Sequence, residues 1–284
     1  MNRLRTIFGI AILAFGFSSV QAQLDEISLS AGGATYFGDL TPTTSIFSTG
    51  KESYSVSAGV SYSLSDYLSV RGQLSLAKFS GDDQFQQDEN RRMRNLSFRN
   101  QLIEGAVMID FNITDAFSRT YQDLQIHALL GLAVYKHNPQ ALLGGTWYDL
   151  QPLGTEGQIP RDSLSLVRGP YNLVQMAVPL GFYVEYEINR NFSIGIEYLH
   201  RITFTDFIDD VSTRYPDLDA LEARNGSIAR QLAFRTVELD GMQDATPLGI
   251  RGNSEETDAY ATLQLRLIYK WSGSKVRYYN RRNR

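Results

Sequence analysis

Apolar and polar residues alternate along much of this chain, and this period-two pattern constrains the fold more than any other feature. Over residues 54–64 every second residue is apolar or aromatic, and serine or glycine fills the positions between. Successive side chains of a β-strand point to opposite faces of the sheet, so the pattern predicts a strand with one apolar face. It recurs over residues 68–79, after the short turn 65–67. A β-hairpin is therefore predicted here.

Eight segments carry strand patterns, most of them about the 9 to 11 residues that a tilted strand needs to cross a bilayer. They lie at 26–36, 54–64, 68–79, 103–113, 125–134, 175–187, 192–198 and 259–271. Connections after the second, fourth and sixth segments are short, and the others run from roughly 17 to 50 residues. Outer-membrane barrels place short turns at one rim and long loops at the other. We therefore predict an all-β fold, a transmembrane antiparallel up-and-down β-barrel of about eight strands.

Alternation alone does not say which face of the sheet meets water, so a soluble lipocalin-like barrel or sandwich with its apolar face inside stays open. Aromatic residues beside the short turns favour a membrane, because such residues form a girdle at its interface. They are Tyr62, Tyr67, Phe111, Tyr186, Phe192, Tyr269 and Trp271. In the membrane interpretation, residues of both charges line a narrow lumen: Arg71, Glu104, Asp110, Glu185, Glu197, Arg201 and Arg266.

The first 22 residues predict export. Arg3 and Arg5 precede a short apolar run, and small and polar residues that end at Ala22 follow it. This is the order of a secretory signal peptide, cleaved after Ala22. No other window approaches the roughly 18 consecutive apolar residues of a spanning helix. We expect a signal peptide (1–22), an outer-membrane barrel with extended loops (23–271) and a basic periplasmic tail (272–284).

Charge and composition narrow the classes of partner. Acidic residues outnumber basic ones, 31 against 27, and the formal net charge is −4, so nucleic acid is not an expected partner. The chain has no cysteine, which removes disulfides from its stability. The tail is the basic exception, and we expect it either to contact a periplasmic partner or anionic headgroups, or to be solvated. Its basic residues are Lys275, Arg277, Arg281, Arg282 and Arg284.

Four segments at the long-loop ends of the strands carry unusual motifs. They are YFGDL at 36–40, RNLSFR at 94–99, WYDLQPLGTEGQ at 147–158 and RITFTDFIDDVS at 201–212. Together the motifs resemble the PorG-like outer-membrane proteins of the type IX secretion system of Bacteroidota, from the signal peptide through the last strand. The motif positions are Tyr36, Gly38, Asp39, Arg94, Asn95, Glu104, Gly154, Thr155, Glu156, Gly157, Arg201, Asp206, Asp209 and Asp210. Ile159 and Phe207 depart from the pattern, where a glycine and a tyrosine are expected.

The resemblance implies a non-enzymatic component of the type IX secretion machinery in the cell outer membrane. Its implied partners are outer-membrane lipid and the periplasmic ring of the K lipoprotein and the N protein, and its implied role is to support protein export. An alternative is a free-standing OmpA/OmpX-like envelope barrel that preserves membrane integrity or binds surface ligands through its loops. A small passive channel is a weaker interpretation, because eight strands leave space for side chains and not for a wide pore.

Two of the motifs also have a purely local interpretation. Gly38 and Gly154 are residues that permit positive φ in loops, where other residue types are disfavoured. Asp39 and Thr155 follow them and are suited to closing side-chain turns. In this interpretation the motifs describe loop geometry and carry no binding function.

The remaining loop motifs have alternatives of the same kind. Asp206, Asp209 and Asp210 are interpreted as a solvated acidic loop in preference to a calcium site, because no EF-hand glycine and glutamate stand at the required spacing. Trp147 and Tyr148 form either a surface for a partner or part of the lipid headgroup layer.

Catalysis by a serine and a histidine, as in barrels that acylate or deacylate lipid A, needs a suitable histidine. By parity His127 faces the lumen and His200 faces lipid near a rim, while His137 opens a long loop. None has an evident nucleophile at a motif spacing, and no phosphate-binding glycine loop or Cys/His metal cluster is present. We therefore predict no enzymatic activity and no cofactor. Residues 216–224 predict a short helix, started by Pro216, that covers the rim as a lid.

Overall fold

The computed structural model describes residues 24–41, 53–117, 123–158, 169–242 and 249–271. Its strands are β1 (Glu26–Phe37), β2 (Tyr54–Ser63), β3 (Leu68–Asp82), β4 (Ser97–Asn112), β5 (Leu124–Leu143), β6 (Thr146–Asp149), β7 (Val174–Glu187), β8 (Phe192–Thr203) and β9 (Ala259–Lys270). The predicted signal peptide, the basic tail and Ile159 lie outside the described residues. In the ranges given above, no helix is long and apolar enough to cross a membrane.

Eight of these strands form a closed ring. Each pairs with its neighbour in the order β1, β2, β3, β4, β5, β7, β8 and β9, and β9 pairs with β1, all antiparallel. β6 lies outside the ring, where it pairs with the end of β5. A closed ring leaves no strand edge unpaired. The predicted all-β, antiparallel up-and-down barrel of eight strands is confirmed.

Several strands run further than the sequence pattern predicts, β4 and β5 most of all. β4 begins at Ser97 and not at residue 103, and β5 continues to Leu143 and not to residue 134. The apolar alternation ends at these positions because outward-facing polar residues replace the apolar ones beyond them. His137 therefore lies inside β5 and points inward, 1% exposed, so its predicted place at the start of a loop is wrong.

Most aliphatic residues of the strands face outward, and most charged and amide residues of the strands face inward. On β9, Leu265 is 69% exposed, whereas Gln264 and Arg266 are each 2% exposed. The same parity holds on β4 and β5, where Val107 and Leu130 are outside. Water would disfavour such a continuous apolar band, at about 25 cal/mol per Å². The soluble alternative, with its apolar face inside, is contradicted.

The two rims differ as the connection lengths predict. At the short-turn rim, Leu64 N–H donates to the Leu68 carbonyl over 2.8 Å and closes the first turn. Aromatic rings of the predicted girdle contact one another there: Tyr67 with Phe111, Phe192 with Tyr269, and Tyr269 with Trp271, at centroid distances of 5.9, 5.2 and 5.8 Å.

Short helices fill the long loops at the opposite rim. They are Asp83–Phe85, Glu89–Arg94, Leu150–Leu153, Leu218–Asn225, Ser227–Ala233 and Thr236–Glu238. The predicted helix at 216–224 is present but begins at Leu218, because Asp217 caps it by accepting the N–H groups of Asp219 and Ala220. Pro216 precedes the cap and is not the first helical residue.

Candidate functional site

The loop motifs meet at the long-loop end of the barrel, where the connection after β8 turns back into the lumen. We call residues 204–215 the plug segment. Ile208, Asp209 and Asp210 in it are each 1% exposed or less. Asn100, on the inner face of β4, donates from Nδ2 to the Ile208 carbonyl over 2.6 Å. The prediction of a solvated acidic loop is therefore wrong for Asp209 and Asp210. Both residues are buried, and neighbouring groups form hydrogen bonds with their carboxyl oxygens.

Tyr36 joins two of the buried carboxyl groups. Its hydroxyl oxygen lies 2.6 Å from Oδ2 of Asp209 and 2.8 Å from Oδ1 of Asp258. The other oxygen of each carboxyl accepts a backbone N–H, from Val211 and Ile208 respectively. Burial holds the pKa of Asp209 and the pKa of Asp258 well above their usual range, and the facing charge adds to this at Asp209. A hydroxyl has one hydrogen to donate, so one of the two carboxyls must itself carry a proton.

Asp210 anchors the plug segment to the loop that follows β6. Its carboxylate oxygens accept from the Thr155 hydroxyl and, over 2.8 Å, from the Tyr171 hydroxyl. Arg251 donates to the Asp210 carbonyl over 2.5 Å. Burial raises the pKa of Asp210 to about 6, although these partners oppose the rise. The φ of Asp210 is 65°, a left-handed conformation that non-glycine residues rarely adopt, and the three contacts hold it there.

Glu156 binds the end of the plug segment. Its Oε1 accepts from the Ser212 N–H over 2.6 Å and from Arg251 Nη1 over 3.0 Å. Its Oε2 accepts from the Thr213 N–H over 3.1 Å and from the Thr213 hydroxyl over 2.9 Å. These charge-assisted hydrogen bonds tie the third sequence motif to the fourth.

Arg94 connects the loops after β1 and β3 to Arg251. Its Nε and Nη2 donate to the two carboxylate oxygens of Asp83 over 2.8 and 2.7 Å. Its Nη1 donates to the Arg251 carbonyl over 2.5 Å, and its Nη2 to the Asp39 carbonyl over 3.2 Å. Arg94 thereby links the first two motifs to Arg251, which also binds Glu156 and the plug segment.

Backbone conformation explains part of the motif pattern. Asn95, Gly154 and Gly157 have positive φ, of 58°, 59° and 76°, so the prediction for Gly154 is confirmed. The prediction for Gly38 is wrong, because Gly38 is not among the positive-φ residues. A Cβ at this position would instead collide with the Tyr36 hydroxyl and the Asp258 carboxyl. Gly38 is required by close approach and not by φ.

Asp39 and Thr155 reach beyond their own turns. Oδ2 of Asp39 accepts the Asn253 N–H over 2.8 Å, and Thr155 donates to Asp210. The local interpretation of the first and third motifs is therefore incomplete. Asp206 lines a surface cavity of about 300 Å³ together with Asp39, Arg91 and Asp258.

Below the plug segment, ion pairs fill the lumen. Arg201 donates from Nε and Nη2 to the two oxygens of Glu104, over 3.2 and 3.0 Å, and the Tyr260 hydroxyl donates to Glu104 over 2.5 Å. These contacts connect β4, β8 and β9 across the lumen.

A second group of ion pairs lies deeper. Arg71 bridges Asp110 at 2.8 Å and Glu197 at 2.5 Å, and Arg266 contacts the same Glu197 at 2.8 Å. Glu185 pairs with Lys270 at 2.5 Å near the short-turn rim. All seven charged residues predicted to line the lumen are buried inside it. Opposite charges neutralise each other across the lumen, so the barrel is filled rather than open.

The three histidines occupy different environments. Nδ1 of His127 lies 2.8 Å from Asp110, and its ring stacks on Tyr183 at 4.2 Å. His137 Nδ1 lies 3.3 Å from Asn100 Nδ2 beneath the plug segment. His200 stands on the outer face beside Phe37, as its parity predicts. Across the ranges that the structure describes, no group of three or more His, Cys, Asp and Glu residues is arranged to hold a metal ion.

Trp147 and Tyr148 lie on β6, at the side of the barrel. The guanidinium carbon of Arg99 stands 3.6 Å from the centre of the Trp147 ring, and Arg99 Nε donates to Gln140 over 2.9 Å. Tyr148 packs partly buried against the core.

The sequence motifs identify many residues of this end of the barrel but miss Asp83, Tyr171, Arg251 and Asp258. They come from other loops, and no local pattern distinguishes them from solvated polar residues.

The chain was compared with family models, with curated proteins and with solved structures. A family model described as "Domain of unknown function (DUF6089)" matches residues 5–146. No curated protein matches the chain. Similar solved structures include Neisserial surface protein A, at 9% identity and a TM-score of 0.40, covering 87% of this chain and 96% of that one.

Two further solved structures resemble it. One is a major outer membrane protein of Thermus thermophilus, with 11% identity, a TM-score of 0.39, and coverage of 88% of this chain and 100% of that one. Ail of Yersinia pestis, in complex with a heparin analogue, has 11% identity, a TM-score of 0.37, and the same coverages of 88% and 100%. The assignment as a closed eight-strand barrel depends on the strand pairings of this chain and not on these likenesses.

Proposed function

The chain belongs to the DUF6089 family, and we propose that it is a non-enzymatic outer-membrane barrel that anchors part of the type IX secretion machinery. The observation that carries the proposal is a barrel with no open channel. Its outer face is apolar, paired charged side chains occupy its lumen, and the plug segment occupies its long-loop end. Such a barrel is suited to hold a position in the membrane and unsuited to conduct solutes.

The link to secretion is supported by the four sequence motifs. They resemble PorG-like proteins, and the residues that carry the resemblance meet in one buried network, through Tyr36, Arg94, Glu156 and Asp209. Because these residues contact one another, the four motifs together form one end of the barrel. The proposed partners are the periplasmic ring proteins, the K lipoprotein and the N protein.

The short-turn rim is the surface proposed to face these partners, because short turns of outer-membrane barrels are periplasmic. Trp271, the last residue described, lies at this rim and donates its N–H to the Asp25 carbonyl over 2.8 Å. The basic tail therefore starts from the periplasmic side in the proposed orientation. Its Lys and Arg residues are suited to an acidic partner surface.

The test is a pull-down from detergent extracts with the tagged full chain. We expect the ring proteins to be recovered with wild type and with Arg224→Glu, a charge reversal in the long loops. Deletion of residues 272–284, or Arg190→Glu in a short turn, should recover several-fold less. If wild type itself recovers no ring protein, the anchoring role is wrong.

A free-standing envelope barrel is the second candidate, because the loop network satisfies many of its charges internally, as at Glu156 and Arg94. A deletion strain separates the two functions. Normal secretion together with leakage of periplasmic markers would support the free-standing barrel, whereas a secretion defect with an intact envelope would support the anchor.

A further inference from the structure

We propose that the outer face of strands β2 to β5 binds one phosphate-bearing lipid of the outer leaflet, an inference that depends on the proposed membrane location but not on the secretion role. A groove of about 350 Å³ runs across these strands. Leu76 and Ile103 form its exposed apolar floor, and Gln101, Lys136 and Asn138 line its polar part. A groove with one apolar and one cationic part fits an acyl chain joined to a phosphate.

The strand register places the two parts in adjacent rows. One row across the sheet pairs Val56 with Leu76, Leu76 with Ile103, and Ile103 with Lys136. The next row towards the long loops contains Tyr54, Lys78, Gln101 and Asn138. The outer surface therefore changes from apolar to polar and cationic within two residues of each strand.

The height of this change matches the position of lipid headgroups. Outward apolar residues of β4 extend from Phe111, at the short-turn rim, to Ile103. Eight residues at about 3.4 Å each, tilted by about 40°, span roughly 21 Å along the membrane normal. The apolar band of outer-membrane barrels is about 25 Å tall. Lys136 and Gln101 thus stand where the hydrocarbon ends and the phosphates begin.

Lys136 and Arg99, the two cations on which the proposal depends, have few acids beside them. Within the described residues no carboxylate forms an ion pair with Lys136 or Arg99. Arg99 is held by the Trp147 ring and by Gln140, which leaves its two terminal nitrogens for another acceptor. Asp149 lies in the next row, paired with Gln140, and Asn138 and Gln140 donate to its carboxylate over 2.8 and 2.6 Å.

The outer face of β7 and β8 is apolar at the height where β2 to β5 carry polar and cationic residues. At the same end of β7 and β8, the outward residues are Val174, Met176, Ile202 and Phe204, all exposed and apolar. A larger external groove of about 620 Å³, on β1, β5, β7, β8 and β9, has an apolar outward lining that includes Leu29, Ile194 and Leu265. It offers contact to acyl chains but no cation for a headgroup. Among the described surfaces compared above, the β2 to β5 face is the one that has cations for a headgroup.

Native mass spectrometry of the full chain in neutral detergent tests the proposal. The probes are diphosphorylated lipid A, its dephosphorylated form, and inorganic phosphate. We expect one lipid A per barrel, weak retention of the dephosphorylated form, and no competition from millimolar phosphate. The double variant Lys136→Gln/Arg99→Gln should weaken lipid A binding by roughly 30-fold, since two basic contacts near an anionic headgroup are lost.

The matched control is Arg190→Gln, which removes one positive charge at the opposite rim and should bind lipid A as wild type does. Heat-modifiable gel mobility shows that each variant is folded. Equal binding of phosphorylated and dephosphorylated lipid, unchanged binding by the double variant, or displacement by free phosphate would overturn the proposal. Loss of ring binding in the pull-down would leave this measurement unaffected, so the two proposals fail separately.

Discussion

The proton that one of Asp209 and Asp258 carries makes the closure of the plug segment depend on pH. Both carboxyls face the single hydroxyl of Tyr36, and burial raises the pKa of each well above the usual value. An acid whose pKa is raised by folding stabilises the folded form at low pH, and this stability is lost as pH rises through the folded pKa. Opening of the plug segment should therefore become easier as pH increases.

The magnitude follows from the proton count. If the closed form holds one more proton than the open form, the free energy of opening falls by about 1.4 kcal/mol per pH unit, or about 2.7 kcal/mol over two units. Asp210 adds a similar dependence at lower pH, because its pKa is raised to about 6 and its contribution is lost by about pH 7. The interval from pH 7 to 8 therefore isolates the Asp209–Asp258 pair.

Hydrogen exchange of a peptide that covers the plug segment measures this opening. Ile208 and Val211 donate their N–H groups to the two carboxyls, so their exchange reports directly on the site. After correction for intrinsic exchange, wild-type protection should fall as pH rises from 7 to 8, by at most about tenfold per pH unit. Asp209→Asn supplies a neutral amide in place of the protonated acid, and its protection should be flat over this interval.

Asp240→Asn is the matched control, since Asp240 is an exposed acid in the same long loop. It should keep the wild-type slope. Two results would refute the reasoning: wild-type protection that does not change between pH 7 and 8, or loss of protection at every pH in both Asp209→Asn and Asp258→Asn. The second result would show that two ionised carboxylates hold the plug segment.

Three further experiments test the lumen and the long-loop end. Arg71→Met should lower the free energy of unfolding by about 3 to 5 kcal/mol in a urea titration, because Asp110 loses its closest cation; an unchanged midpoint would contradict the ion-pair assignment. Gly38→Ala should destabilise the plug segment by about 1 to 3 kcal/mol and speed its proteolysis, whereas Gly33→Ala, which meets open space, should not. Wild-type protein in planar bilayers should give no conductance steps, and steady unitary currents would show that the lumen is not filled.

The lumen could be predicted from the sequence because strand parity is strict. Arg71, Glu197 and Arg266 alternate with apolar residues, and a period of two leaves only one face for them once lipid takes the other. Which of them would pair was beyond the pattern, because it depends on the register between strands. Arg71 and Glu197 lie 126 positions apart along the chain, and no local signal predicts their contact.

The long-loop end was harder to predict for the same reason. The motifs containing Tyr36 and Asp209 were recognised, but their contact joins residues 173 positions apart. An acidic run read alone favours a solvated loop, and only the partners supplied by other loops make burial of Asp209 and Asp210 tolerable. The extension of β5 to Leu143 was missed because its outward residues become polar above the membrane.

Accessibility of single spin labels tests the central claim, that lipid contacts the apolar outer face of the barrel. The chain has no cysteine, so a cysteine at Leu265 or at Leu130 can be labelled without background. Both side chains point outward, and labels there should collide more with oxygen than with a water-soluble nickel complex. Preferential collision with nickel at both positions, in protein reconstituted into bilayers, would contradict the account of a membrane-spanning barrel.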